Sequence, residues 1–430
     1  MRTIPLALIF AAAALAATNP PQVTFNKDVL PVLQKNCQNC HRPGEAAPFS
    51  LLSYKEARPW AAAIKTAVLT KKMPPWFADP HYGKFSNDRS LSPAEISTLV
   101  AWAETGAKQG DTKDAPPPRE FVEGWAIGKP DYVVEMPAEF SIPASGTVDY
   151  QYFLVPTGFT EDKYVRVAEA RPGNHQLVHH IIAFVRPPGS KWMKDLKPGV
   201  AFVPKRDGNG GGDGGFGGEF LVGYAPGLPP EILGPGQAKL VPAGSDLILQ
   251  MHYTANGKVG TDRSKIGFIF GKEPPKERVM MLAAGNEKFV IPPGDANYEV
   301  HSKFQIQEDA TLTQFLPHMH FRGKDFEYRV TYPDGRTETL LSVPHYDFNW
   351  QLTYYLETPK RLPKGSVIEC TAHFDNSPNN KYNPDPTKAV RFGEQTWEEM
   401  MIGFFEVSFD PSMNPMDLFR PKKAQEKKSD

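Results

Sequence analysis

Leu316-Pro317-His318-Met319-His320-Phe321-Arg322-Gly323 sets two histidines two residues apart in a β-like context. In a strand, residues i and i+2 point to the same face, so the two imidazoles project side by side. Such a pair is half of a metal site, and imidazole suits copper, zinc, iron and nickel. The bland alternative is one ligand beside an ordinary surface histidine. The composition around this stretch is that of short strands and frequent turns. Of 430 residues, 43 are Pro and 35 are Gly, and 11% are aromatic. Proline therefore stands at about twice its average share. That mix predicts all-β domains for most of the length.

A chain this long predicts two to four domains. The net charge of −1 argues against a nucleic-acid partner. No internal stretch approaches the roughly 18 apolar residues of a membrane span, so none is expected. The N-terminus reads as a signal peptide over residues 1–17. Arg2 supplies positive charge, Ile4 to Ala14 is apolar, and Ala14-Leu15-Ala16 is a small-x-small cleavage site. The expected location is secreted or periplasmic. The three cysteines, Cys37, Cys40 and Cys370, cannot make a disulfide framework, so stability must come from packed cores.

Residues 22–112 form the first predicted unit. Val29, Leu30, Val32 and Leu33 fall on one broad helical face, with Pro31 kinking or starting the helix. The helix runs into Cys37-Gln38-Asn39-Cys40-His41. C-x-x-C-H is the attachment signature of c-type haem: two thiols bind the vinyl groups and the histidine is an axial ligand. A redox dithiol would want a βαβ context, and a zinc site would want a second ligand pair. Met73, in Lys72-Met73-Pro74-Pro75-Trp76, is the candidate sixth ligand on a proline-rich loop, with His81 as runner-up. Ser92-Pro93-Ala94-Glu95 is an N-cap, a first-turn proline and a capping-box glutamate, followed by the stripe Ile96, Leu99, Val100. In order and spacing, this stretch resembles class I cytochromes c. Residues 113–125 follow as a proline-rich linker containing Ala115-Pro116-Pro117-Pro118.

Residues 126–278 and 279–411 read as two β domains. Val178-His179-His180-Ile181 places two histidines next to each other in a strand. Neighbours in a regular strand face opposite ways, so joint binding of one ion requires a backbone bend or coordination through different ring nitrogens. His175 lies close by. Gln250 and His252 share one face of Leu247–Tyr253, and His252 would complete a three-histidine set suited equally to copper and zinc. The glycine-rich run Asp207–Gly218 reads as a mobile surface loop and lacks the lysine of a phosphate loop. Asp334-Gly335 marks a hairpin. Met400, entering the last predicted strand, would be a soft ligand beside His318 and His320, which points to copper. Residues 412–430 read as a disordered tail.

Taken in order, His179-His180, Gln250-x-His252, His318-x-His320 and Glu399-Met400 resemble the copper type II, ascorbate-dependent monooxygenases, the peptidylglycine α-hydroxylating and dopamine β-monooxygenase enzymes. The likeness spans residues 126–410 and includes the Val290–Gly294 turn. It implies two β-sandwich domains, each holding one copper. By this resemblance His179, His180 and His252 hold the electron-supplying copper. His318, His320 and Met400 hold the copper that binds O2, and Gln250 lies beside the electron-transfer route. Departures limit the carry-over. Leu316 stands where the peptidylglycine enzyme has an arginine, and Ile402 and Phe404 stand where it has asparagine and tyrosine. Those residues hold a peptide carboxylate, so the expected substrate lacks one.

The expected architecture is therefore multidomain: a small all-α cytochrome c domain, then two all-β sandwich, jelly-roll-like copper domains. The expected function is a haem- and copper-containing monooxygenase that hydroxylates a small organic substrate with O2. Ascorbate or a redox partner protein would supply its electrons. The ligands alone are equally compatible with a non-catalytic electron-transfer or copper-binding protein, and with a zinc-loaded β-sandwich joined to a cytochrome.

Overall fold

The computed structural model describes residues 22–45, 47–121, 124–204, 218–226 and 228–420. The expected signal peptide, residues 205–217 of the glycine-rich region and the tail from 421 lie outside the described residues. The chain divides into two compact units. One comprises Met1–Gln38, Ser50–Met73 and Leu91–Pro118; the other comprises Asn39–Phe49, Pro74–Ser90 and Arg119–Asp430.

The first unit is built from short helices. A π-helical turn, Phe25–Val29, runs into the helix Leu30–Asn36, with Pro31 in its first turn, where a missing N–H costs nothing. Tyr54–Ala57 and Ala61–Leu69 follow, and the longest helix, Pro93–Glu104, has twelve residues. Its start follows the sequence expectation. Ser92 accepts from the Glu95 amide while Glu95 reaches back to the Ser92 amide, and Pro93 occupies the first turn. Glu95 also bonds Lys35 at 2.9 Å. Burial opposes its ionisation, but Lys35 and Ser92 outweigh that and hold the carboxyl at about 2. Phe25, Val29, Leu33, Leu99 and Trp102 are buried at the centre.

The second unit is all β, and two layers meet in each half. A nine-stranded sheet runs in the order Tyr132–Glu135, Lys265–Phe270, Lys163–Arg171, Gln237–Val241, Glu277–Asn286, Met401–Phe409, Ala310–His318, Tyr354–Leu362, with Glu231–Ile232 paired to Lys163–Arg171. On one half packs a four-stranded sheet of Gln151–Pro156, Asp246–Tyr253, Val178–Arg186 and Glu219–Tyr224. Phe153, Ile181 and Leu249 from this sheet meet Val165, Ile266 and Phe268 from the larger one in a single core. On the other half packs Tyr298–Gln305, Val367–Phe374, Gly323–Thr331 and Thr337–Val343. There Tyr328, Leu341 and Ile368 meet Leu282, Phe315 and Val407. Gly335, at φ 85°, turns the expected hairpin.

These observations correct the expected fold class. Strands make up 37% and helices 12%, and no small all-α cytochrome domain is evident. Much of the stretch between Cys37 and Ser92 is turns and loops broken by Pro and Gly, and two parts of it, 39–49 and 74–90, group with the β unit. Trp76 and Phe85 explain the second: their rings pack on Tyr354 at 4.9 and 5.6 Å. Nor are the two sandwiches separate sheets. Gln237–Val241 pairs in parallel with Glu277–Asn286, which makes the large sheet continuous through both halves. The tail differs too: Pro415–Leu418 forms a 3₁₀ turn that buries Leu418.

Candidate functional site

A β-bulge solves the problem of the adjacent histidines. Val178 pairs with Tyr253 and His180 with His252, which leaves His179 as the extra residue of its strand. A bulge re-aims side chains, so both rings reach one side. The ligand atoms of His179, His180 and His252 lie within 4.8 Å of one another. Among the described residues this is the one such cluster of His, Cys, Asp and Glu. Nδ1 of His179 and Nδ1 of His252 are buried without a hydrogen-bond partner. His180 donates from Nε2 to Gln250 Oε1 at 3.3 Å, which leaves its Nδ1 as a lone pair. Gln250 is held in turn by donating to the Tyr152 hydroxyl. Burial lowers His179 to about 4 and His252 to about 3, with His179 adding to the latter. Burial, then His252 and His179, holds His180 far below the usual imidazole range. Three clustered imidazoles, two of them with a buried nitrogen that lacks a partner, form a donor set for a cation. Copper and zinc both fit it.

His318 ends the strand Ala310–His318, and His320 follows on the same side, the ring centroids 5.2 Å apart and perpendicular. His318 Nδ1 meets Gln351 Oε1 at 3.0 Å, and His320 Nδ1 meets the Glu398 carbonyl at 3.2 Å. The first contact leaves Nε2 of His318 as its acceptor nitrogen, and Nε2 of His320 is buried without a partner. Burial lowers His318 to about 4, and burial with the neighbouring His318 drives His320 lower still. The turn is clamped from beneath. Glu399 accepts from the backbone amides of His320 at 2.9 Å and Arg322 at 2.6 Å. Burial raises its carboxyl to about 8, against the pull of those amides and Arg322. Met400 is buried beside Ile402 and Phe404.

One cavity of about 70 Å³ joins the two sets: His180, Gln250, His318 and Met400 all line it. Phe348 touches both sets, stacking on His179 at 5.5 Å and meeting His320 edge-on at 5.9 Å. Phe348, Gln351, Tyr150 and Tyr152 were not legible as site residues in the sequence. Each is an ordinary aromatic or amide in a strand or loop, and only tertiary contact distinguishes it. His175 stands outside the three-histidine cluster, its Nδ1 3.3 Å from the Tyr224 hydroxyl. His81 is exposed and paired with Asp79 at 2.6 Å. Cys370 is buried, and burial raises its thiol.

The residues of the haem motif divide between the units: Cys37 and Met73 belong to the helical one, Cys40 and His41 to the β one. Cys37 caps the helix Leu30–Asn36. His41 Nδ1 donates to the Phe49 carbonyl at 3.2 Å, and burial lowers the ring's basicity against that hydrogen bond. Burial raises the Cys40 thiol.

No family model and no curated protein matches the chain. Solved structures resemble it weakly. A structure of the infectious bursal disease virus Gx strain has 9% identity and a TM-score of 0.19, covering 67% of this chain and 74% of that one. PNGF-II has 10% identity and a TM-score of 0.27, covering 65% of each chain. Allantoicase has 8% identity and a TM-score of 0.16, covering 55% of this chain and 79% of that one. Likeness at this level carries no argument about fold or function.

Proposed function

We propose that the chain is a secreted or periplasmic copper- and haem-containing oxidoreductase that hydroxylates a small organic substrate with O2. The observation that carries this reading is the pair of histidine sets, with buried, unsatisfied nitrogens, joined by one cavity. His179, His180 and His252 would hold one copper; His318, His320 and Met400 would hold the other. Copper in these sites would supply O2 activation and one-electron storage. The methionine favours copper over zinc at the second set, because a thioether is a soft ligand. Cys37 and Cys40 would hold a covalent haem, His41 and Met73 would be its candidate iron ligands, and the haem would supply single electrons drawn from ascorbate or a redox partner protein.

The protein's own residues have defined tasks in this reading. Gln250 and Gln351 each fix one histidine ring and its tautomer, leaving the other nitrogen toward the ion. Glu399 fixes the turn that presents His320. Leu316, Met281 and Phe404 give the cavity an apolar wall that excludes water from the reacting end.

Metal and haem content per chain, followed by turnover under ¹⁸O2, tests the proposal. Two coppers, one haem and label in the product are expected. Met400→Leu should abolish turnover while leaving the haem spectrum unchanged. Haem without stoichiometric copper would reduce the protein to an electron carrier, and zinc in both sets would overturn the oxygenase reading.

A further inference from the structure

The cavity between the two histidine sets carries information about its occupant. Its wall is mostly apolar, with Phe220, Leu228, Pro229 and Met281 facing Leu316 and Phe404. Two polar groups on that wall lack hydrogen-bond partners. One is Oε1 of Gln314, a residue only 3% exposed, and the other is the Tyr150 hydroxyl. An unpaired buried amide oxygen is costly, and an N–H or O–H brought by a ligand would satisfy it. Charge on the wall is already cancelled. Among the described residues lining the cavity there is neither Lys nor Arg, and the single carboxyl, Glu231, bonds Lys239 at 2.6 Å.

We infer that the cavity binds a small, neutral, largely apolar molecule that donates one hydroxyl or N–H hydrogen bond to Gln314 Oε1. In the metal-free chain a carboxylate would find no cation there, and an ammonium would find no free carboxylate. Burying either charge unpaired is strongly unfavourable. A cavity of about 70 Å³ takes few heavy atoms. The unbranched side chains of Met281 and Met400 allow its wall to yield to a single ring. The inference rests on the proposed reading only in calling this occupant the substrate; binding itself requires no metal.

The test is titration calorimetry of the full chain, metal-free and again copper-loaded, with phenol, toluene, benzoate and benzylammonium. Phenol should bind about tenfold more tightly than toluene, the worth of one hydrogen bond to a buried acceptor. Benzoate and benzylammonium should not saturate the metal-free chain, the form in which charged ligands are compared. Gln314→Leu should bring phenol down to the affinity of toluene and leave toluene unchanged. Gln314→Met, closer in shape, should do the same, and both variants should keep the wild-type melting temperature. Equal binding of phenol by the variants, saturation of the metal-free chain by either charged ligand, or no binding by any of the four would overturn the inference. Failure to bind copper while phenol still binds through Gln314 would sink the oxygenase reading and leave this one standing.

Discussion

At the scale of single residues, the site is defined by what its nitrogens lack. His179 and His252 each bury an Nδ1 with no partner, and His320 buries its Nε2 likewise. Native proteins leave few buried polar atoms unpaired, so three on neighbouring histidines mark a candidate site. The side chains that orient the rings matter nearly as much as the ligands. Gln351 holds His318 Nδ1, accepts from the Tyr346 hydroxyl at 3.2 Å, and donates to the Phe348 carbonyl at 2.9 Å. Gln351→Leu should therefore weaken metal binding at the second set by about 10- to 100-fold. The three-histidine set should keep its affinity. Stepwise copper titration followed by spectroscopy separates the two. Equal affinity at both sets in the variant would show that Gln351 has no orienting role.

At the scale of elements, two devices stand out. The bulge at His179 converts a strand, which alternates its side chains, into a platform that brings three imidazoles together. The capping box at Ser92 starts the longest helix, and Glu95 is its charged part. Glu95 titrates near 4.5 in the unfolded chain and at about 2 in the folded one. A depressed carboxyl pKa contributes stability that is present above the unfolded value and lost as pH falls through the folded one. Glu95→Gln should cost about 1 kcal/mol at neutral pH. The gap from wild type should shrink between pH 4.5 and 2. Urea melts at a series of pH values check this, and a gap independent of pH would place the contribution in the hydrogen bonds alone.

At the scale of the molecule, the continuous sheet is the feature that makes one body of two sandwiches. A buried ionic cluster marks the seam. Lys239, from one half, bonds Glu231 at 2.6 Å and Glu406, from the other half, at 3.1 Å. Burial pushes the Glu231 carboxyl up, while Lys239 outweighs the burial of Glu406 and draws its carboxyl down. Removing one member of such a cluster leaves an uncompensated charge. Lys239→Met should cost about 3–5 kcal/mol. It should also loosen the coupling of the halves, so that denaturant unfolding of the β unit splits into two steps. A single, equally cooperative transition at wild-type midpoint would show that the parallel strand pair holds the seam without the cluster.

Much of this protein was legible in its residues alone, because the signals were local. Period-two patterning and abundant Pro and Gly marked a β protein, Ser92-Pro93-Ala94-Glu95 marked a helix start, and histidine pairs at fixed spacing marked the residues that the fold gathers into two clusters. Local rules had less hold on the N-terminal region, where short helices separated by Pro- and Gly-rich turns form no independent all-α domain. Only tertiary structure decided that His179 sits in a bulge, that one sheet runs through both halves, that Phe348 packs between His179 and His320, and that Gln351 and Gln314 face the cavity. These facts depend on which distant strands pair and in what register. Contacts between residues tens to hundreds of positions apart leave no periodicity in the sequence, and the packing of two layers is what brings them together.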